Sequence, residues 1–167
     1  AELESDTGPR APLLVFAHSL GGHMMSNFIW DTTRPASAIA PGFGRFGSLA
    51  GLATFGCNIP VFAAVHATIV PIEARRFAAP ATLLPTWWRN YYSNPDPLSF
   101  PLRVMPGGYA ALGTPGPGFE PAQLTDARII SGNPLTAWNP AAHAGYWTAE
   151  GLHRPLAGMV AEVHARL

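Results

Sequence analysis

The sequence has no lysine and a single cysteine, and only 12% of its 167 residues are charged, about half the ~25% of an ordinary soluble domain. Each scarcity excludes something. Ten arginines balance ten acids, so the net charge is +0, and no basic field exists to hold a phosphate backbone; nucleic acid is not an expected partner. One cysteine, Cys57, forbids an internal disulfide and a cysteine-based zinc ribbon. No His pair shows the HExxH spacing, so neither metal nor cofactor is expected. Residues 46–72 carry no charge, long enough to suggest a membrane span. Gly56, Asn58 and Pro60 interrupt the middle of that run, and such residues at mid-bilayer need internal partners. A buried strand running into a loop is the expected alternative.

What is present is apolar and heavily punctuated. Hydrophobic residues make up 48%, with 17 Gly and 18 Pro, a composition of many turns around a real core. Residues 1–11 are polar at first and read as a loose leader without a signal peptide. Residues 12–167 read as one domain. Residues 12–17 (PLLVFA) predict a strand buried on both faces, as parallel sheets require. The turn HSLGG follows, then a helix to about Trp30, with Leu20, Met24 and Phe28 on one apolar face and Met25 and Ile29 beside them. Residues 49–55 (LAGLATF) predict a second strand. Residues 61–85 form an irregular excursion with at most one short helix. Residues 86–92 (TWWRNYY) and 127–131 (ARIIS) predict the third and fourth strands, with one helical turn at 109–112 between them. A last amphipathic helix presents Leu152, Leu156, Met159, Val160, Val163 and Leu167, with Pro155 in its first turn. Strands alternating with helices and loops predict an α/β sheet of about four mostly parallel strands.

The chemistry-bearing feature is the join of the first strand and first helix. A buried strand, a small-His-Ser-x-Gly-Gly turn and an apolar helix form the context of a nucleophile elbow. Ser19 must occupy a tight, strained turn so that its hydroxyl projects above the sheet, and small residues at Ala17 and Gly21 let the backbones approach. The Leu20 N–H, at the helix N-terminus, is the expected oxyanion donor. The competing role for Ser19 is a simple helix cap. The stretch AHSLGG resembles the GHSLGG elbow of the α/β-hydrolase superfamily, in its esterase and lipase-like part, with Ala17 standing where glycine is usual.

The resemblance implies a Ser–acid–His triad acting on carboxylic esters or related acyl compounds, in the order serine, acid after a later strand, histidine after the next. It places the histidine at His143. Elimination leads the same way: His18 supports the elbow, His23 is too close in sequence to reach back, His66 lies in the excursion, and His153 and His164 ride the last helix. Asp96, in a Pro-bracketed turn after the third strand, is the expected acid; Asp126, before the fourth strand, and Asp31, at the end of the first helix, fall at the far end of the sheet. Acyl transfer on the same residues, or a non-catalytic binding module, are the alternative functions. Cys57 is expected to be a buried hydrophobe, Trp87, Trp88, Tyr91 and Tyr92 mostly core, and Arg75 and Arg76 a solvated pair. In that superfamily the elbow follows several strands, and an earlier loop gives a second oxyanion donor. Only eighteen residues precede Ser19 here. The first strand is therefore expected to be an open edge, free of any bulge signal, that associates with another chain or a missing N-terminal segment. No compartment is indicated beyond a cytoplasmic preference.

Overall fold

The structure is a computed structural model and describes residues 11–33, 47–76, 82–116, 121–133, 135–136 and 139–167. The leader expected at residues 1–11 lies outside them, except for Ala11. Four strands, β1 (Leu13–His18), β2 (Leu49–Phe55), β3 (Trp88–Tyr92) and β4 (Leu124–Arg128), form one sheet in the order β1-β2-β3-β4. Every neighbouring pair is parallel. The α/β architecture anticipated from the sequence is therefore present. Parallel strands need crossovers that cover the faces of the sheet. Here α1 (Leu20–Thr32) packs with one face, and α4 (Glu150–His164) with the other. Between them come the short α2 (Ile59–Ala63), 3-10 turns at Ala74–Arg76 and Pro140–Thr148, and α3 (Tyr109–Leu112). No helix among the described residues is long and apolar enough to cross a membrane, and none of their His, Cys, Asp and Glu residues cluster as a metal site would require.

β2 is the spine. All seven of its residues are buried, because it has a strand on each side and a helix on each face. Leu49 and Leu52 join a cluster with Trp87, Trp88 and Leu102 on the α1 side; Ala50, Ala53 and Phe55 meet Tyr146, Leu152 and Met159 on the α4 side. Trp87 and Trp88 are fully buried, so the expected aromatic cluster is core, and each such side chain contributes about 2–3 kcal/mol of burial. Arg89 forks onto Glu162 at 2.9 and 2.6 Å, tying β3 to α4.

Several expectations need correction. β1 is only half-buried and Phe16 is 40% exposed, so the strand is not covered on both faces, although it does stand at the end of the sheet of described strands, the open edge that was expected. Its register shifts between Leu13 and Leu14, an irregularity the sequence did not signal. α1 does not bury the Leu20–Met24–Phe28 face. Gly22, Ser26, Ile29 and Thr32 face the core, and Met24 is 64% exposed. The reason is steric: a Cβ at position 22 would stand 2.8 Å from Cys57 Sγ, and only glycine lets the helix seat that closely on the sheet. β4 begins at Leu124, not at residue 127, since Leu124 pairs with Trp88 in register and is buried while Ile130 is 78% exposed. Asp126 therefore lies within β4 rather than before it. Pro155 lies inside α4, beyond the first turn, and removes one helical N–H. Val160 and Leu167 point to solvent. Arg76 is not simply solvated; its guanidinium stacks 4.0 Å from the Trp30 ring centroid, and Arg75 pairs with Glu73.

Candidate active site

The C-terminal ends of the strands bring Ser19, Asp96 and His143 together. Ser19 immediately follows β1 and has φ 55°, ψ −127°; it is the one non-glycine residue with positive φ among those described. Such a backbone costs about 1–3 kcal/mol and persists only where the surroundings enforce it. Two bonds do so: Ser19 N–H donates to the Phe55 carbonyl at 3.0 Å, and Gly22 N–H to the Ser19 carbonyl at 3.0 Å. Ser19 occupies the N-cap position of α1, yet its side chain caps nothing. Its Oγ lies 2.7 Å from His143 Nε2.

The acid side is equally defined. Asp96 is 2% exposed and sits in the turn after β3, closed by Asp96 N–H donating to the Ser93 carbonyl. Its Oδ1 accepts from Leu98 N–H at 3.0 Å. Its Oδ2 lies 2.8 Å from His143 Nδ1. A carboxylate only accepts, so the imidazole proton is on Nδ1. Nε2 then presents a lone pair, which accepts the Ser19 hydroxyl proton. The hydrogen-bonded series Asp96–His143–Ser19 is thus polarised in one direction. The Leu20 N–H stands at the α1 N-terminus, where the first amides have no intrahelical acceptor.

His143 rides the Pro140–Thr148 3-10 helix. Asn139 starts it by accepting from Ala141 N–H at 2.9 Å. Three contacts then hold the segment that carries the imidazole. His18 Nε2–H donates to the His143 carbonyl at 2.9 Å, with the two rings 4.8 Å apart. Tyr146, fully buried, donates its hydroxyl to Ser99 Oγ at 2.8 Å. Ser99 in turn accepts from Ser93 N–H and donates its own N–H to the Asp96 carbonyl. The Asp96 turn and the His143 helix are therefore bolted together through Ser99 and Tyr146. Trp147 lies 58% exposed at the rim, edge-on to Phe55. The sequence marked His18 as a support of the elbow, but carried no sign of Ser99, which acts across 47 residues.

The other candidates fall away from the site. Asp126 accepts from Asn90 Nδ2, Leu102 N–H and Arg103 N–H at 2.7–2.9 Å, which makes it the clamp of the segment after β3. Asp31 lies near the C-terminal end of α1, opposite Ser19. His23 stacks on Phe62, His66 is exposed, and His153 bonds the Trp147 carbonyl on the surface. Cys57 is fully buried, and burial pushes its thiol up to about 12, too high for a nucleophile at neutral pH.

Two consequences are measurable. Gly56 adopts φ +58°, and a Cβ there would lie 2.9 Å from Tyr146 Cε2 and 3.1 Å from His18 Nε2. Gly56→Ala is expected to cost about 2–4 kcal/mol, read as a lower urea midpoint, from the left-handed backbone and the displaced rings together. An unchanged midpoint would contradict this packing. The second consequence concerns pH. Burial lowers the His18 imidazole below its ordinary 6.5, the bond to the His143 carbonyl opposes the shift, and the His143 ring adds to it. Burial, with His66 beside it, also lowers His23. Just below pH 6.5 the unfolded chain binds protons that the folded one refuses, so stability is expected to be full above 6.5 and to decline as pH falls toward the depressed values. Urea midpoints at pH 7.5 and 5.5 test the direction, and His18→Gln should make the decline shallower.

Comparison with protein-family models, with curated proteins and with solved structures finds no match to this chain.

Proposed function

We propose that this chain is a serine hydrolase of the α/β-hydrolase type that cleaves carboxylic esters or related acyl compounds. The observation that carries the reading is the Ser19 side chain: in a strained turn at a helix N-terminus, it forgoes the cap and lies 2.7 Å from His143 Nε2. A capping serine has no need of the strain, whereas a nucleophile raised above a sheet does.

In the proposed reaction Ser19 Oγ attacks the ester carbonyl carbon as its proton passes to His143 Nε2. The carbonyl oxygen becomes an oxyanion, facing the Leu20 N–H and the positive end of α1. Asp96 holds Nδ1–H in place and stabilises the imidazolium. Collapse breaks the bond to the leaving alkoxide, which takes the proton from His143, and leaves an acyl-Ser19 ester. Water then attacks this ester, its proton moving to Nε2. The second collapse frees the acid and returns the proton to Ser19 Oγ. No metal or cofactor enters the scheme.

A fluorophosphonate probe tests the proposal, since only an activated serine reacts at a useful rate. The expected result is a single adduct on the Ser19 peptide by mass spectrometry. An adduct elsewhere, with Ser19 unmodified, overturns the assignment; no adduct at all favours a non-catalytic binding module.

A further inference from the structure

A cavity of about 360 Å³ lies between α1 and the segment 59–72, within the ~300–1,000 Å³ of small-molecule sites. None of Ser19, Asp96 and His143 lines it, so it is a concavity distinct from the proposed active site. Its wall has two characters. Ile59, Ile72 and Tyr109 are buried and offer hydrocarbon and a ring. Asn27, His66 and Thr68 are exposed and polar, and mark its solvent side. No Asp, Glu, Lys or Arg stands among the described residues that line it.

His23 of α1 belongs to this wall and carries an unmet bond. Its ring stacks on Phe62 with centroids 4.3 Å apart, and Asn27 Nδ2 lies 3.1 Å from its Nε2. An amide nitrogen only donates, so Nε2 accepts. Burial, and His66 nearby, lower the imidazole below its ordinary 6.5. At pH 7.5 the ring is therefore neutral, and its single proton is on Nδ1. That N–H is buried and has no hydrogen-bond partner among the described residues. Buried polar groups are paired in the great majority of cases, because an unmet one has lost its water for nothing. The Ser26 hydroxyl, also in the wall, is committed to the His23 carbonyl at 2.8 Å.

A guest that suits both parts of the wall has an apolar body for the buried side and an oxygen acceptor for Nδ1–H. A pure hydrocarbon leaves the donor unmet. A cation faces the positive end of an N–H, and an anion gives up its water with no cation in the wall to replace it. We propose that this cavity is a binding site for a small uncharged molecule that joins an apolar ring to an oxygen acceptor, the oxygen receiving the hydrogen bond of His23 Nδ1–H. The site uses none of the residues of the serine-hydrolase reading and stands apart from it.

The test titrates the whole chain at pH 7.5 with three compounds of similar size and follows backbone amide NMR shifts. Acetophenone has ring and acceptor, ethylbenzene lacks the acceptor, and benzoate adds a charge. Acetophenone should bind with shifts centred on His23, Ile69 and Tyr109, and about fivefold or more tightly than either of the others, the scale of one hydrogen bond. His23→Phe keeps a ring against Phe62 and removes the donor. In that variant, with its fold checked by circular dichroism, acetophenone should weaken to the level of ethylbenzene, whose own affinity should not change. The wild-type comparison needs no variant and keeps the test decisive if His23→Phe does not fold. Equal affinity for acetophenone and ethylbenzene, benzoate as the tightest of the three, shifts centred elsewhere, no acetophenone binding at millimolar concentration, or a folded His23→Phe that keeps the preference would each overturn the assignment.

Discussion

Ser19→Ala is expected to lower ester turnover by about 10⁶-fold, the scale seen when the nucleophile of such a unit is removed. The remainder would come from the Leu20 N–H and from substrate binding, which alanine leaves in place. The same position makes a second, opposite prediction about stability. Ser19 holds φ 55° without glycine's freedom, and that conformation costs about 1–3 kcal/mol. Ser19→Gly should therefore abolish turnover and yet raise the urea midpoint, because glycine enters this region readily. Glycine's extra freedom in the unfolded chain offsets part of the gain, by about 0.4–1 kcal/mol. A Ser19→Gly variant that is markedly less stable than the wild type would mean that the elbow stores no strain. A Ser19→Ala variant that keeps full turnover would remove Ser19 as the nucleophile.

Asp96→Asn carries the next largest effect, a loss of about 10⁴-fold in kcat with the fold retained. The geometry explains the size. Asp96 Oδ2 is the acceptor that fixes the His143 proton on Nδ1. An asparagine that turns its amide toward the ring favours the other tautomer, and Nε2 then carries a proton and cannot accept one from Ser19. Asp126→Asn is the informative contrast. Asp126 accepts three hydrogen bonds that pin Asn90 and the backbone at Leu102 and Arg103. Its loss should cost stability, about 2 kcal/mol, and leave kcat within a few-fold. Parallel measurement of kcat and urea midpoint separates the two acids. If Asp126→Asn were the variant that lost turnover, the proton-holding role given to Asp96 would be wrong.

The elbow was legible because everything it needs is local. A six-residue apolar strand, a serine between small residues and a following helix lie within one short stretch of chain, and their spacing alone marks the turn. The helical turn at Tyr109–Leu112 and the strand Leu49–Phe55 were readable for the same reason. The partners of Ser19 were readable only as candidates. The His143 bond spans 124 residues and the Asp96–His143 bond 47, and no local pattern records such a meeting. Their order along the chain narrowed the choice, since a parallel sheet delivers the residues after its strands to one end.

The sequence by itself determined the class of the fold, the position of the turn at Ser19 and the inertness of Cys57, because composition, periodicity and small-residue spacing act over a few residues. Tertiary structure decided the rest. The buried face of α1 was set by how closely Gly22 seats against Cys57, not by where the helix is most apolar. The start of β4 was set by the register of Leu124 against Trp88, although the local sequence favours the Ile129–Ile130 pair as strand. The sequence already favoured Asp96 over Asp126 by its place after the third strand, but what each carboxylate meets, an imidazole for Asp96 and amide groups for Asp126, exists only in the folded chain. In each case the deciding contact joins residues far apart in the chain, and its geometry exists only once the sheet has formed.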